Sequence, residues 1–254
     1  MKIKLNKSFF LLSVTVTLFF AGCNKEEEKE YGIPKDSTTY SSVEVYKIGE
    51  NSITLDEVMW YVYIMEMDMK EDALAYQQSK GESYYEAIVD AESNTTVGEK
   101  VISEIDEMIT YYEIMNDLVL ESEKYDLEAV KEVVEPQAEE YYNSVNKDIA
   151  EKMGLKQEVY EEILTKWRLA DMYYDEVSKL YDVDPVELVE DYYSEEELEQ
   201  FTNDEYDKML EMFEESYRKQ LFDYDFETIE AEYSIDVNYE MLDDIEIKLG
   251  TFTK

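Results

Sequence analysis

The sequence predicts a mainly α fold of long helices, with a small β element that pairs an N-terminal strand with a C-terminal one. Among 254 residues there are only 7 glycines and 3 prolines, too few for a turn-dense β-sandwich or a doubly wound sheet. Apolar residues recur every three or four positions through several long segments, which is the spacing of one helix face. Residues 43–48 and 235–237 instead alternate between apolar and polar side chains, as strands do.

Composition limits the possible functions. The chain is 44% hydrophobic and 14% aromatic, which is enough for a sizeable core, and its formal net charge is -41. Such a charge repels nucleic acids and anionic lipid headgroups. We therefore expect no nucleic-acid partner and no phosphate-binding function.

The N-terminus carries an export signal. Three lysines fall within the first seven residues, the apolar stretch 9–20 follows, and two small residues then precede Cys23. This order resembles a bacterial lipoprotein signal, in which residues 1–22 are removed and the Cys23 thiol is acylated by diacylglycerol. Phe20 stands where such signals usually have leucine, so the alternative is an ordinary signal peptide or an uncleaved anchor.

A lipidated Cys23 would place the protein on the extracytoplasmic side of the cell membrane, held by its acyl chains alone. Each buried CH₂ contributes about 0.8 kcal/mol, so two or more chains give stable attachment. Cys23 is the only cysteine, which leaves no disulfide and no cysteine metal site. Residues 23–42 are polar and lack apolar periodicity, which predicts a flexible tether to a helical domain at 43–254.

The first predicted helix covers residues 54–80 and follows a turn at 49–51. Thr54 and Glu57 have the spacing of a capping box, in which each side chain satisfies the other residue's backbone N–H. Thr96 and Glu99 have the same spacing and predict the start of a second long helix.

Three more long helices follow. Asp126 is suited to cap a helix over residues 127–152, with a kink at Pro136, and Gly154 is placed to end it. The next helix is expected over 157–180. Asp184 followed by a proline predicts another helix start, and the last long helix is expected over 204–232.

The order of these segments resembles the SurA-like N-terminal chaperone domain of PrsA-type foldase lipoproteins. The resemblance rests on the lipoprotein signal, the strand leading into Gly-Glu-Asn at 49–51, the helix start Ser-Ile-Thr-Leu-Asp-Glu at 52–57, and the closing Tyr-Ser-Ile-Asp-Val-Asn at 233–238. It covers most of residues 43–247. It implies that residues 43–48 pair with the strand near 235–237, and that the helices form a cradle for unfolded or secreted client polypeptides.

The chain departs from that family where an isomerase would need a parvulin domain. It has no histidine, no Gly-Gly pair and only residues 183–203 at that place, far short of the roughly 50 residues of a domain. Prolyl isomerase activity is therefore not carried over. Serine–histidine, cysteine–histidine and zinc sites are excluded as well, and we expect no catalytic residue, no metal and no cofactor. A glycosidase-type carboxylate pair stays open, although solvated helix faces explain most acidic residues better.

Methionine and aromatic side chains supply the candidate peptide-binding surface, because methionine adapts to varied partners. The candidates are Met59, Trp60, Tyr63, Met67, Met108, Tyr112, Met115 and Trp167. The simpler interpretation is that they form a broad core. The function predicted is a membrane-anchored, chaperone-like lipoprotein that binds extended polypeptide, and the alternative is an adhesin or accessory subunit that binds one folded partner.

Overall fold

The computed structural model describes residues 33–245. The predicted signal peptide, Cys23 and the first part of the predicted tether lie outside this range. The strands are β1 (Glu44–Ile48), β2 (Asn51–Thr54), β3 (Ile88–Asp90), β4 (Thr95–Thr96) and β5 (Ile235–Val237). The helices are α1 (Leu55–Asp68), α2 (Lys70–Lys80), α3 (Val97–Ser122), α4 (Leu127–Ser144), α5 (Lys147–Met153), α6 (Gln157–Ser178), α7 (Pro185–Tyr192), α8 (Glu195–Leu198), α9 (Asn203–Glu230) and α10 (Tyr239–Asp243). The predicted mainly α fold with a small β element is confirmed.

The β element joins the two ends of the described chain. Its strand order is β2-β1-β5, and both pairings are antiparallel. Tyr46 lies opposite Val237 in the register of β1 with β5, so the predicted pairing of residues 43–48 with 235–237 is confirmed. The Asn238 N–H donates to the Val45 carbonyl at 2.8 Å and extends this pairing.

The start of α1 differs from its prediction. Residues 51–54 form β2, and Thr54 occupies the N-cap position without a side-chain capping bond. Its hydroxyl donates to Asp56 Oδ1 at 2.6 Å instead. The capping box of Thr54 and Glu57 is therefore wrong, because the Glu57 carboxylate accepts a hydrogen bond from Lys166.

Other helix ends agree more closely. Thr96 and Glu99 form the predicted capping box, and Asp126 caps α4. The predicted helix 127–152 is divided, because α4 ends at Ser144 and Asn146 caps α5. Pro136 stays inside α4, which ends eight residues after it at Ser144. The predicted first helix is likewise divided between α1 and α2.

Ordered packing begins before the predicted end of the tether. Residues Ser37–Ser42 form a 3-10 helix that Asp36 caps, and Tyr40 is buried. The Ser37 hydroxyl donates to the Glu151 carbonyl at 2.5 Å. A Cβ on Gly154 would lie 2.9 Å from both the Ser37 carbonyl oxygen and Tyr40 Cδ2, so this contact fits glycine. The folded part of the chain therefore begins several residues before the predicted domain boundary at residue 43. Tyr40 is buried there, although the residues around it are polar.

The chain divides into two compact units, whereas residues 43–254 were predicted as one domain. Within the described range, the smaller unit comprises Ser178–Asp223. Ring contacts join α7 to α9, with Tyr192 and Phe213 centroids 5.3 Å apart. Arg218 Nη1 donates to the Ser178 and Tyr181 carbonyls at 2.5 and 2.7 Å, which fixes the turn before α7.

Within the described range, the larger unit comprises residues 33–177 and 224–245, and most residues of its helix α1 are buried. Trp60 is fully buried and stacks on Tyr160 with ring centroids 4.5 Å apart. Its indole N–H donates to the Lys156 carbonyl at 2.9 Å, so the polar end of the ring is satisfied. Because α1 is buried on nearly all sides, it forms a large part of the core of this unit.

Candidate functional site

Three helices of the larger unit line a pocket of about 320 Å³ that is open to solvent. We call it the α3–α4–α6 pocket. It is lined by Asn116 and Leu120 of α3, Leu127 and Lys131 of α4, and Glu158, Glu161, Glu162, Thr165, Lys166 and Leu169 of α6. Its volume is at the lower end of the range for ligand sites.

Leucines form the apolar part of the pocket. Leu169 is buried and belongs to a core cluster with Val119, Val130 and Val134. Leu127 packs against this cluster and is partly buried, while Leu120 is 46% exposed. The pocket thus leads from solvent to the apolar core where α3, α4 and α6 meet.

The part of the pocket formed by α6 is acidic, in contrast to the apolar part formed by the leucines. Glu158, Glu161 and Glu162 are three and four residues apart, so they lie on one side of the helix. Partial burial raises the pKa of the Glu162 carboxyl, while the charges of Lys166 and Lys131 act to lower it. The Thr165 hydroxyl donates to the Glu161 carbonyl at 2.7 Å, so it is satisfied within the helix.

Lys166, which also lines the pocket, connects three helices. Its Nζ lies 2.7 Å from Glu57 Oε1 of α1 and also donates to Glu113 Oε1 of α3. The Lys166 and Glu113 side chains are only 17% and 3% exposed. Burial alone would lower the pKa of Lys166, but the two carboxylates outweigh it and raise that pKa.

At Glu113, burial changes the pKa more than the opposite charge of Lys166 does. Burial raises the pKa of this carboxyl, and the nearby Glu57 charge adds to the effect, although Lys166 opposes both. A second buried carboxylate of α1, Asp56, accepts a hydrogen bond from Lys156 at 2.8 Å. The first turn of α1 is therefore held by two lysines from the α6 region.

The predicted peptide-binding residues are divided between the core and partly buried positions. Met59, Trp60, Tyr63 and Met115 are buried. Met67, Met108, Tyr112 and Trp167 are partly buried. The fold brings Trp60 close to Tyr63, at 5.9 Å between centroids, and Tyr112 close to Trp167, at 5.4 Å. None of the eight lines the α3–α4–α6 pocket.

Sequence reasoning missed the pocket residues. The spacing of Glu158, Glu161 and Glu162 is visible in the sequence and could have marked a polar face of α6. The leucines opposite them come from α3 and α4, and no local pattern indicates which helices meet.

Among residues 33–245, no group of three or more histidine, cysteine or acidic residues is arranged to hold a metal ion. Within the same range, no helix is long and apolar enough to cross a membrane. Comparison with known proteins found no matching family model, no matching curated protein and no matching solved structure.

Proposed function

We propose that this chain is a lipid-anchored, extracytoplasmic, chaperone-like protein that holds extended or partly folded polypeptide without a catalytic step of its own. The observation that carries the proposal is the α3–α4–α6 pocket, where Leu120 is exposed, Leu127 is partly buried and Leu169 forms the buried apolar floor. Client polypeptides present leucine-like side chains that folded proteins hide. We propose this pocket as the contact surface in place of the eight methionine and aromatic candidates, because four of those eight side chains are buried.

The pairing of β1 with β5 supports the relation to the SurA-like chaperone domain, which implies such a closure of the two chain ends. Lipid attachment at Cys23 would keep the helical body at the outer face of the membrane, where secreted chains emerge. The strong negative charge suits this arrangement, because it keeps the body away from anionic headgroups and limits self-association.

The test uses the full chain with Cys23→Ser, which keeps the protein free of lipid. Aggregation of a chemically unfolded client is followed by light scattering at equimolar ratio, and suppression is expected. Leu120→Ser should weaken suppression, because burial of a leucine by the client contributes up to about 1.5–3 kcal/mol.

Two controls separate binding from stability. Leu180→Ser removes a leucine that is 78% exposed and does not line the pocket, and suppression should stay unchanged. Met115→Ala weakens the core, so unfolding should occur at lower denaturant while suppression by the folded protein persists. Absence of suppression, or equal loss in Leu120→Ser and Leu180→Ser, would refute the proposal. Binding to one folded partner alone would favour the adhesin or accessory-subunit alternative.

A further inference from the structure

The α3–α4–α6 pocket has an uneven distribution of charge. Glu158, Glu161 and Glu162 all come from one helix wall. Lys166 also lines the pocket, but its ammonium is engaged by Glu57 and Glu113 and its side chain is only 17% exposed. The other lysine that lines the pocket is Lys131 of α4, so three glutamates share the pocket with one lysine outside the buried ion cluster.

The three carboxylates do not gather around a point. No described group of three acidic residues has the geometry to hold a metal ion, and calcium would require six to eight oxygen ligands. The carboxylates instead follow about one turn of α6, beside the exposed Leu120. This arrangement complements an extended ligand that has both charged and apolar groups.

Basic polypeptide fits this chemistry. Lysine and arginine carry a long apolar stem that packs on leucine while the charged end reaches a carboxylate. The net charge of -41 raises the encounter rate with basic segments from a distance. The same field disfavours acidic segments and a second copy of this chain.

We infer that the α3–α4–α6 pocket selects polypeptide segments in which a lysine or arginine stands next to leucine-like side chains. The leucines Leu120, Leu127 and Leu169 take the apolar side chains, and the wall of Glu158, Glu161 and Glu162 takes the basic one. This inference rests on the proposed function and specifies its client class.

The experiment measures fluorescence anisotropy of three labelled, extended peptides of equal length with the full Cys23→Ser chain. One alternates lysine and leucine, the second replaces lysine by glutamine, and the third replaces leucine by serine. We expect the lysine–leucine peptide to bind most tightly. Its advantage over the glutamine peptide should decrease when NaCl is raised, because exposed ion pairs are screened.

A double variant, Glu161→Gln with Glu162→Gln, assigns the selectivity to the pocket wall. Each exposed ion pair contributes about 0.2–1 kcal/mol, so loss of two such pairs should lower affinity for the lysine–leucine peptide by about two- to thirtyfold. Affinity for the glutamine peptide should stay the same. Glu196→Gln with Glu199→Gln is the matched control, because it removes the same charge from exposed residues that do not line the pocket.

The outcomes distinguish this inference from the proposed function. If lysine–leucine and glutamine–leucine peptides bind equally and Leu120→Ser weakens both, the client selectivity is wrong and the polypeptide-binding function stands. If both double variants lower lysine–leucine affinity equally, the attraction comes from net charge and the pocket assignment is wrong. If no peptide binds, both proposals fail.

Discussion

The Lys166 ammonium on α6 lies 2.7 Å from Glu57 Oε1 on α1, and the same nitrogen donates to Glu113 on α3. One cation thus satisfies two carboxylates that are largely withdrawn from water. Because α6 also supplies the acidic wall of the pocket, this ion cluster holds the wall against α1 and α3. The position of the proposed binding surface therefore depends on a contact in the protein interior.

Removing Lys166 should destabilise the fold strongly. Lys166→Met leaves Glu57 and Glu113 buried without their cation, and breaking a buried ion pair in this way costs about 3–5 kcal/mol. Lys219→Met is the control, because Lys219 and Asp223 form an exposed pair with 62% and 48% of their side chains accessible. That variant should stay within about 0.5 kcal/mol of the parent. Urea unfolding followed by circular dichroism measures both, and equal effects would contradict the cluster's role.

The packing of residues Ser37–Ser42 against the end of α5 can be tested by comparing alanine variants of two glycines. Each glycine follows the end of a helix and has a left-handed backbone conformation. Gly154 has φ +67 and Gly81 has φ +74, so alanine at either position costs about 1–2 kcal/mol of backbone strain. An added Cβ at Gly81 meets nothing within 4 Å, whereas at Gly154 it meets the Ser37 carbonyl at 2.9 Å. Gly154→Ala should therefore lower the free energy of unfolding more than Gly81→Ala, by about 1 kcal/mol or more.

The measurement is urea unfolding of the two variants beside the parent. Shortening the chain to begin at residue 43 removes Ser37 and should abolish the difference between the alanine variants. If the difference persists without residues 37–42, the 3-10 helix does not cause it.

Features set by neighbouring residues were predictable from the sequence. The Thr96–Glu99 capping box, the Asp126 cap and the ending at Gly154 each depend on contacts within a few positions. The pairing of β1 with β5 spans nearly the whole described chain, yet it followed from the family resemblance and the alternation of two short segments.

Features set by tertiary contacts were not predictable. Glu57 has the spacing of a capping residue, but Lys166, 109 positions later, offers a buried carboxylate a stronger partner. The excess of methionine and aromatic residues on α1 suggested a binding surface, whereas burial on nearly all sides of α1 accounts for Met59, Trp60 and Tyr63. The α3–α4–α6 pocket requires knowing which three helices meet.

The Asp106 carboxylate should reduce the free energy of unfolding at neutral pH, and this cost should disappear as the pH falls. Burial raises the pKa of its carboxyl above the ordinary 3.8, and the charges of Glu107 and Glu230 add to the shift, although Tyr46 opposes it. Tyr239 also lies near this carboxyl. Neither Tyr46 Oη nor Asp106 Oδ1 completes a hydrogen bond with a described residue, so the opposing effect of Tyr46 is the weaker one.

The sign follows from linkage. A carboxyl with a raised pKa in the folded state binds its proton more tightly than the unfolded chain, so its ionisation costs stability above that pKa. Asp106→Asn should therefore increase the free energy of unfolding at pH 7, and the gain should diminish as the pH falls through the raised pKa towards 3.8. Urea unfolding across this pH range measures the gain.

Asp90→Asn provides a control of opposite sign. Hydrogen bonds from the Ser93 hydroxyl and the Glu92 N–H lower the pKa of Asp90. Its contribution to stability is present above the ordinary pKa and is lost on acidification. Asp90→Asn should thus be less stable than the parent at pH 7 and approach it at low pH. A loss of stability at pH 7 in Asp106→Asn would mean that the Asp106 carboxylate stabilises the fold.

Cys23 should determine membrane attachment. Lipid-modified protein is expected in the detergent phase of a Triton X-114 partition, because each acyl CH₂ contributes about 0.8 kcal/mol of membrane affinity. Cys23→Ser should move the protein to the aqueous phase, where its net charge of -41 keeps it. Cys23→Ser with Ser42→Cys is the control, since a thiol at another position should not restore attachment. Persistence of Cys23→Ser in the detergent phase would instead indicate that the apolar stretch 9–20 remains as an uncleaved anchor.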